Sequence, residues 1–454
     1  MLSSACRLAA ALALTVAAAL PGDAAAQARP SRATEPISRE QALVTFDSAW
    51  RRIGATHYDS AMRGVNWNAV RDSLRPKAEQ ASTLGALRET IGAMLTTLGE
   101  SHFVLIPQEA ADAIDPELSR RDPAAAPGDA GLTLRLIGDT VVVTAVRPQS
   151  PGARAGVQPG WIVDSVGRFG AARARRTIAE SRSLTRQQLV AMIPQGAAAQ
   201  FAGTAGSSVN AVFTDHEGHR REIELVREPL AGVPVRFGNL PTMFVEVAHE
   251  VRPLPTGGCA GVIRLSAWML PATAALDSAV DAVRHCKGVV IDLRGNPGGV
   301  GGMVMGFGGH FLDSVVTLGE MKTRGNRLRF VANPRRADVA GRRVSPFAGP
   351  LAIVSDSLSM STSEIFAAGM QAVGRARLFG ENTPGLALPA VLLRLPTGDV
   401  LMHVFADFTD PNGRRIEGVG AVPDVPVPLT RANLLRGIDA PLEEALAWIA
   451  GSGG

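Results

Sequence analysis

Read for the spacing of its apolar side chains, the chain divides into three stretches of different period. Residues 40–59, EQALVTFDSAWRRIGATHYD, and 83–99, TLGALRETIGAMLTTLG, carry apolar residues at helical spacing, so 38–107 is expected to form a small helical domain. The following AADAIDPELSRRDPAAAPGDAG is rich in Ala, Pro and charge and keeps no apolar face, which reads as a linker near 110–128. From Gly131 the period shortens. LTLRLIG, TVVVTAV, WIVDSVG, VNAVFTD and REIELVRE are short β-branched runs between Gly-, Pro- and Asp-containing turns, and they predict a compact β-rich domain over 129–229. Beyond about 237, apolar strands such as VIRLSAW, VVIDLRG and LAIVSD alternate with helical segments such as ATAALDSAVDAVRHC and SEIFAAGMQAVG. That alternation implies an α/β core with parallel strands reaching to about 450.

A chain of 454 residues with 46% hydrophobic side chains is long enough for two or three such domains. Its first segment changes the picture of where it works. MLSSACR precedes the apolar run LAAALALTVAAAL, then Pro21-Gly22 and small residues at Ala24, Ala26 and Ala28, the pattern of a cleaved signal peptide over 1–26. The run is about 13 residues, short of the roughly 20 that span a bilayer. The mature protein is therefore expected to be secreted or periplasmic, with no membrane span, in oxidising surroundings. Cys6 leaves with the signal. Cys259 and Cys286 each precede a strand-like run, CAGVIRL and CKGVVIDL, so adjacent parallel strands would let them bridge, and two buried thiols are the other reading. The 46 basic and 42 acidic residues are scattered without long runs, which gives nucleic-acid binding no support.

Eight histidines supply candidate bases, but none lies in a His-Glu-x-x-His motif, and no Cys/His set has metal-ligand spacing. No metal or cofactor is expected. His216 and His219, in DHEGH, read as solvated residues of a hairpin turn. More informative is the strand LAIVSD, which runs into Ser357-Leu358-Ser359-Met360-Ser361-Thr362-Ser363-Glu364 and then a helix. Unpaired N–H groups at a helix start favour developing negative charge, so a nucleophile there has local oxyanion stabilisation. The same residues also fit plain N-capping.

DLRGNPGG at 292–299 decides between these readings. Followed by Ser-x-Ser-Glu-Ile, Gly-Glu-x-Thr and a late GVGAVPD, it resembles the catalytic core of the C-terminal-processing proteases and their tricorn-protease relatives, over roughly 200 residues. The resemblance implies an α/β fold of the ClpP/crotonase-like kind, with Ser361 as nucleophile and the amides of Thr362 and Gly298 as oxyanion donors; Gly299 is the neighbour if the register slips by one. The lysine-using branch has its base in a Gly-Lys-Gly step, but Leu386 stands there in Gly380-Glu381-Asn382-Thr383-Pro384-Gly385-Leu386-Ala387, and leucine accepts no proton. Tricorn-like members use Ser-His-Ser-Glu instead. LGESHF supplies Ser101 and His102, and RRIEGVGAVPD places Glu417 in register, so the resemblance implies His102 as general base with Ser101 and Glu417 orienting it.

Within the β-rich domain, VRPQSPGARAGVQPGWIVDSVG resembles the PDZ domains of bacterial proteases. Such domains take a chain terminus as an added strand, and Gly131, Leu132, Thr133 and Leu134 occupy the position that would receive it. The expected activity is hydrolysis of peptides or unfolded proteins through an acyl-enzyme. The alternative is a noncatalytic peptide- or ligand-binding homologue of the same fold. An α/β-hydrolase esterase would need a Gly-x-Ser-x-Gly elbow, which is absent around Ser361.

Overall fold

The computed structural model describes residues 32–111, 126–180, 186–235 and 242–452. The expected signal over 1–26 and most of the expected linker lie outside them. Among the described residues, no helix is long and apolar enough to cross a membrane.

The N-terminal unit is built on three helices, Arg39–Thr56, Trp67–Glu79 and Leu84–Thr96. Ser38, Asn66 and Thr83 cap them, each side-chain oxygen accepting from a backbone N–H in the first turn. Phe46, Ile53, Leu87, Ile91 and Met94 form its core. The middle helix escapes the sequence pattern because it buries only Trp67, Leu74 and Ala78 and contains Pro76. The unit is not closed on itself. Val104–Ile106 pairs antiparallel with Val400–Val404, Val104 facing Met402, and Leu388, Leu395 and Leu401 join the helical core. The segment carrying Ser101 and His102 is thereby sewn to the C-terminal part of the chain.

The next unit is an antiparallel sheet in the order Leu132–Ile137, Thr140–Val146, Ile162–Val166, Ser208–Thr214 and Arg220–Val226. The helices Ala171–Glu180 and Arg186–Phe201 belong to it, with Val143, Val163, Ala197, Phe201 and Phe213 packed in the interior. Leu132–Ile137 lies at the sheet edge, so one side of its backbone pairs with no other strand of that sheet.

The C-terminal unit is a six-stranded sheet in the order Val247–Pro253, Cys259–Leu265, Gly288–Asp292, Leu351–Ser355, Arg377–Gly380 and Val425–Pro426. The first pair is antiparallel and the rest are parallel. Gly288–Asp292 and Leu351–Ser355 are buried along their whole length, which is why they read as unbroken apolar runs. Val289, Ile291 and Ile353 face the helices Thr273–Val283 and Thr362–Ala372, through Val280 and Phe366. Val290, Ala352 and Val354 face the opposite way, onto Leu442, Ala445 and Ile449 of the helix Ala440–Gly451. The result is an α/β/α sandwich whose central strands end side by side.

Cys259 and Cys286 form a disulfide with Cα atoms 4.9 Å apart, closing a loop of sequence separation 27 between neighbouring parallel strands. A loop of that length should confer about 3 kcal/mol by restricting the unfolded chain. The double variant Cys259→Ser/Cys286→Ser is expected to lose about that much in urea unfolding; an unchanged midpoint would rule the contribution out.

Candidate active site

Two adjacent parallel strands deliver the central residues. Gly288–Asp292 ends in the turn Asn296–Gly299, and Leu351–Ser355 runs through Asp356–Met360 to Ser361, where Thr362–Ala372 begins. Ligands in open α/β sheets bind beyond such carboxyl ends. Asn296 ties the two turns together. Its carbonyl accepts from Met360 N at 2.9 Å and from Ser363 Oγ at 3.2 Å, while its side-chain Nδ2 donates to Leu265 O at 2.8 Å.

Ser361 has φ 56° and ψ −117°, a backbone region that a side-chain-bearing residue occupies only when its surroundings enforce it. The enforcement is visible. Ser361 N–H points at Leu386 O (3.0 Å) and Glu364 Oε2 (2.9 Å). Gly298 presses on the same spot: a Cβ built there would lie 2.6 Å from Ser361 Cβ and 3.0 Å from Thr362 N. Its own φ of 98° suits glycine alone.

Glu364 is the clamp beneath this turn. The buried carboxylate receives Ser361 N and Leu386 N on Oε2, and Thr383 Oγ1 and Gly385 N, both at 2.6 Å, on Oε1. Burial pushes its pKa up to about 7 against the pull of these donors, all of which favour the carboxylate. The sequence marks Glu364 only as the last letter of Ser-x-Ser-Glu. Its partners, some twenty residues further on, could not be read from spacing.

Ser101, His102 and Glu417 meet although 316 positions separate Ser101 from Glu417. Glu417 Oε1 accepts Ser101 N at 3.0 Å, Oε2 accepts Ser101 Oγ at 3.0 Å, and Ser101 Oγ lies 2.7 Å from His102 Nδ1. The one proton on Oγ is given to Glu417, so Nδ1 is the donor to Ser101 and Nε2 keeps its lone pair. His102 itself has φ 62°, again a left-handed backbone held by its neighbours. Desolvation holds its pKa down to about 4, so the ring is neutral at pH 7. Burial raises Glu417 above the usual carboxylate range, while the N–H groups of Ala387 and Ser101 and the charge of Arg415 pull it back.

One peptide unit joins the two halves. The carbonyl of Leu386 accepts Ser361 N–H, and across the same planar bond Ala387 N–H donates to Glu417 Oε2 at 2.8 Å. Leu386, at the position of the lysine in the other branch, thus contributes its backbone. Among the described residues no hydrogen bond joins the His102 ring to Ser361. Catalytic hydrogen bonds are often long or poorly aligned before substrate arrives.

Gly298 N–H donates to Asn296 Oδ1 at 2.9 Å, so it is already occupied, whereas Gly299 N–H has no acceptor among the described residues. The side-chain amide oxygen of Asn296, two residues upstream, thus holds the first glycine's N–H and leaves the second's open among the described residues. Gly131 precedes, and Leu132, Thr133 and Leu134 open, the edge strand Leu132–Ile137. The next residue along that strand reaches the core: Arg135 Nε meets Asp356 Oδ2 at 2.7 Å, and Asp356 Oδ1 accepts Gly295 N and Leu358 N from the two turns around Ser361.

An α/β core with a strained serine at a strand-to-helix turn, glycine amides beside it and a carboxylate-oriented imidazole nearby has the parts of a serine hydrolase. The comparisons narrow this to a family. Residues 260–427 match peptidase family S41, and residues 38–96 match the tricorn protease C1 domain. The chain carries a peptidase family S41 domain over residues 260–427 and is a serine-type peptidase. It is 24% identical over 394 residues to carboxyl-terminal-processing peptidase 2, chloroplastic, of Arabidopsis thaliana, covering 84% of this chain and 68% of that one. It is also 24% identical over 431 residues to the carboxyl-terminal-processing protease of a Synechocystis species, covering 91% and 88%. In fold it is similar to the photosystem II D1 C-terminal processing protease, with TM-score 0.55, 21% identity, and 88% and 98% of the two chains covered.

Proposed function

We propose that the chain is an exported serine endopeptidase that cleaves peptides or unfolded proteins through an acyl-enzyme on Ser361, with His102 as general base. The observation that carries this reading is the Glu417–Ser101–His102 chain, hung on the same peptide unit that holds Ser361. His102 Nε2 takes the Oγ proton as Ser361 attacks the scissile carbonyl. The oxyanion is received by the N–H groups of Thr362 and Gly299, the imidazolium protonates the leaving amine, and water then releases the acyl group by the same base. Ser101 and Glu417 fix the tautomer and offset the charge that forms on His102.

The unit over 129–229 is assigned as a PDZ-like domain that receives a substrate chain end on the edge strand Leu132–Ile137. Gly131, with φ 72°, supplies the tight turn that opens this strand, and a Cβ there would meet Ser150 at 2.2 Å. The Arg135–Asp356 pair links that edge to the loop leading to Ser361. The disulfide accords with export into an oxidising compartment. Incubation with a reduced, carboxymethylated protein should give internal cleavages by mass spectrometry, absent with Ser361→Ala. An intact substrate with the wild type would favour a noncatalytic binding protein instead.

A further inference from the structure

We propose that Arg415 is a positioning residue for this site: fastened to the helical unit through Glu100 and Tyr58, it fixes the loop that carries Glu417 and faces that carboxylate with its charge. The inference rests on the peptidase reading for its kinetic consequence and on geometry for its substance.

Arg415 lies two residues before Glu417, and Glu100 lies directly before Ser101. The two meet: Arg415 Nη2 donates to Glu100 Oε1 at 3.0 Å and to Tyr58 Oη at 2.9 Å, while its Nε divides between both oxygens of Asp407 at 2.9 Å. Glu100 is itself gripped. Its Oε2 is 2.9 Å from His57 Nε2, Tyr58 Oη donates to Oε1, and Arg63 stands 3.7 Å away. The Glu100 side chain is only 5% exposed. A buried carboxylate of this kind is costly unless paired, so loss of its partners would leave an uncompensated charge beside Ser101.

This network runs parallel to the catalytic one. Ser101–Glu417 and Glu100–Arg415 are two adjacent cross-links between the same two chain segments, one from the helical unit and one from the core. Two bonds at neighbouring positions fix an orientation that one leaves free to swing. The groups facing Glu417 are Ser101, with His102 behind it, the Ala387 N–H and Arg415. Arg415 is the one positive charge acting directly on Glu417 among them, and it favours the ionised form that stabilises the imidazolium during turnover. Asp407, on the strand Ala406–Thr409, holds the guanidinium from the far side.

The test compares wild type with Arg415→Met, Arg415→Lys and Asp407→Asn in the full mature chain. Fluorophosphonate labelling is followed as a rate against pH, and the Nδ1–H resonance of His102 is followed by proton NMR on ¹⁵N-histidine-labelled protein. Arg415→Met is expected to slow labelling by about tenfold or more, to move the acid limb of the profile towards neutral pH, and to shift or broaden the His102 resonance. Arg415→Lys should restore part of the rate, since it keeps the charge and loses the fork. Asp407→Asn, which removes one anchor and leaves the guanidinium, should give a smaller change of the same sign. If Arg415→Met folds with an unchanged His102 resonance and pH profile, the proposal is overturned. A wild type that takes no label while Arg415→Met still shifts the resonance would sink the peptidase reading and leave the positioning role standing.

Discussion

Replacing His102 with alanine should lower kcat/KM by about ten-thousand-fold, close to the loss on replacing Ser361, because residues that act as one unit fail together. Leu386 supplies no base, and the nearest groups around Ser361 are backbone amides and the clamped Glu364, whose carboxylate oxygens already hold four donors. The pH dependence follows from the same geometry. Protonation of His102 removes the base, and its folded pKa is depressed to about 4 from an ordinary 6.5. As pH falls from 7, the imidazole therefore stays neutral through the range where a free histidine would charge, and the acid limb of kcat/KM should lie well below pH 6.5. The unfolded chain takes up that proton first, so this group's contribution to stability is present above 6.5 and is lost as pH falls towards 4. A kcat/KM profile with its acid limb at 6.5 or above would show that another group is the base.

Gly298→Ala is the second large effect, about a hundred-fold or more in kcat. The methyl would have to enter a space where Ser361 Cβ is 2.6 Å away and Met360 O 2.9 Å away, at a backbone φ of 98°. Neither obstacle is a flexible side-chain tip, so the Ser361 turn or the Asn296–Gly299 turn must move. Gly413→Ala is the matched control. Gly413 also has positive φ, 79°, but nothing lies within 4 Å of the built Cβ. It should cost about 1 kcal/mol in stability with kcat unchanged. Steady-state kinetics on both variants separate crowding at the site from backbone conformation alone. Equal kcat for Gly298→Ala and wild type would contradict the arrangement.

The parts of this molecule that were legible in sequence are those whose signal is local. Val289–Ile291 and Leu351–Val354 read as buried strands because both faces are apolar, and the glycines and serines at their ends mark the turns. The family resemblance then carried Ser361, Ser101, His102 and Glu417. What was not legible depends on partners far away in the chain. Val104–Ile106 is three residues long and acquires its meaning from Val400–Val404. Glu364 looks like a helix cap until Thr383, Gly385 and Leu386 fold over it. Arg415 stands two residues from Glu417 in sequence, yet the acids its guanidinium grips are Glu100 and Asp407. The hydrogen bond from Gly298 N–H to Asn296 Oδ1 is a case of the same kind, since only the folded turn brings the two together.

The most direct measurement is intact-mass analysis of the mature protein after exposure to a fluorophosphonate, beside Ser361→Ala and His102→Ala. The account predicts one probe adduct on the wild type, located at Ser361, and none on either variant over the same time. An unlabelled wild type, or a Ser361→Ala variant that still takes the probe, would contradict it.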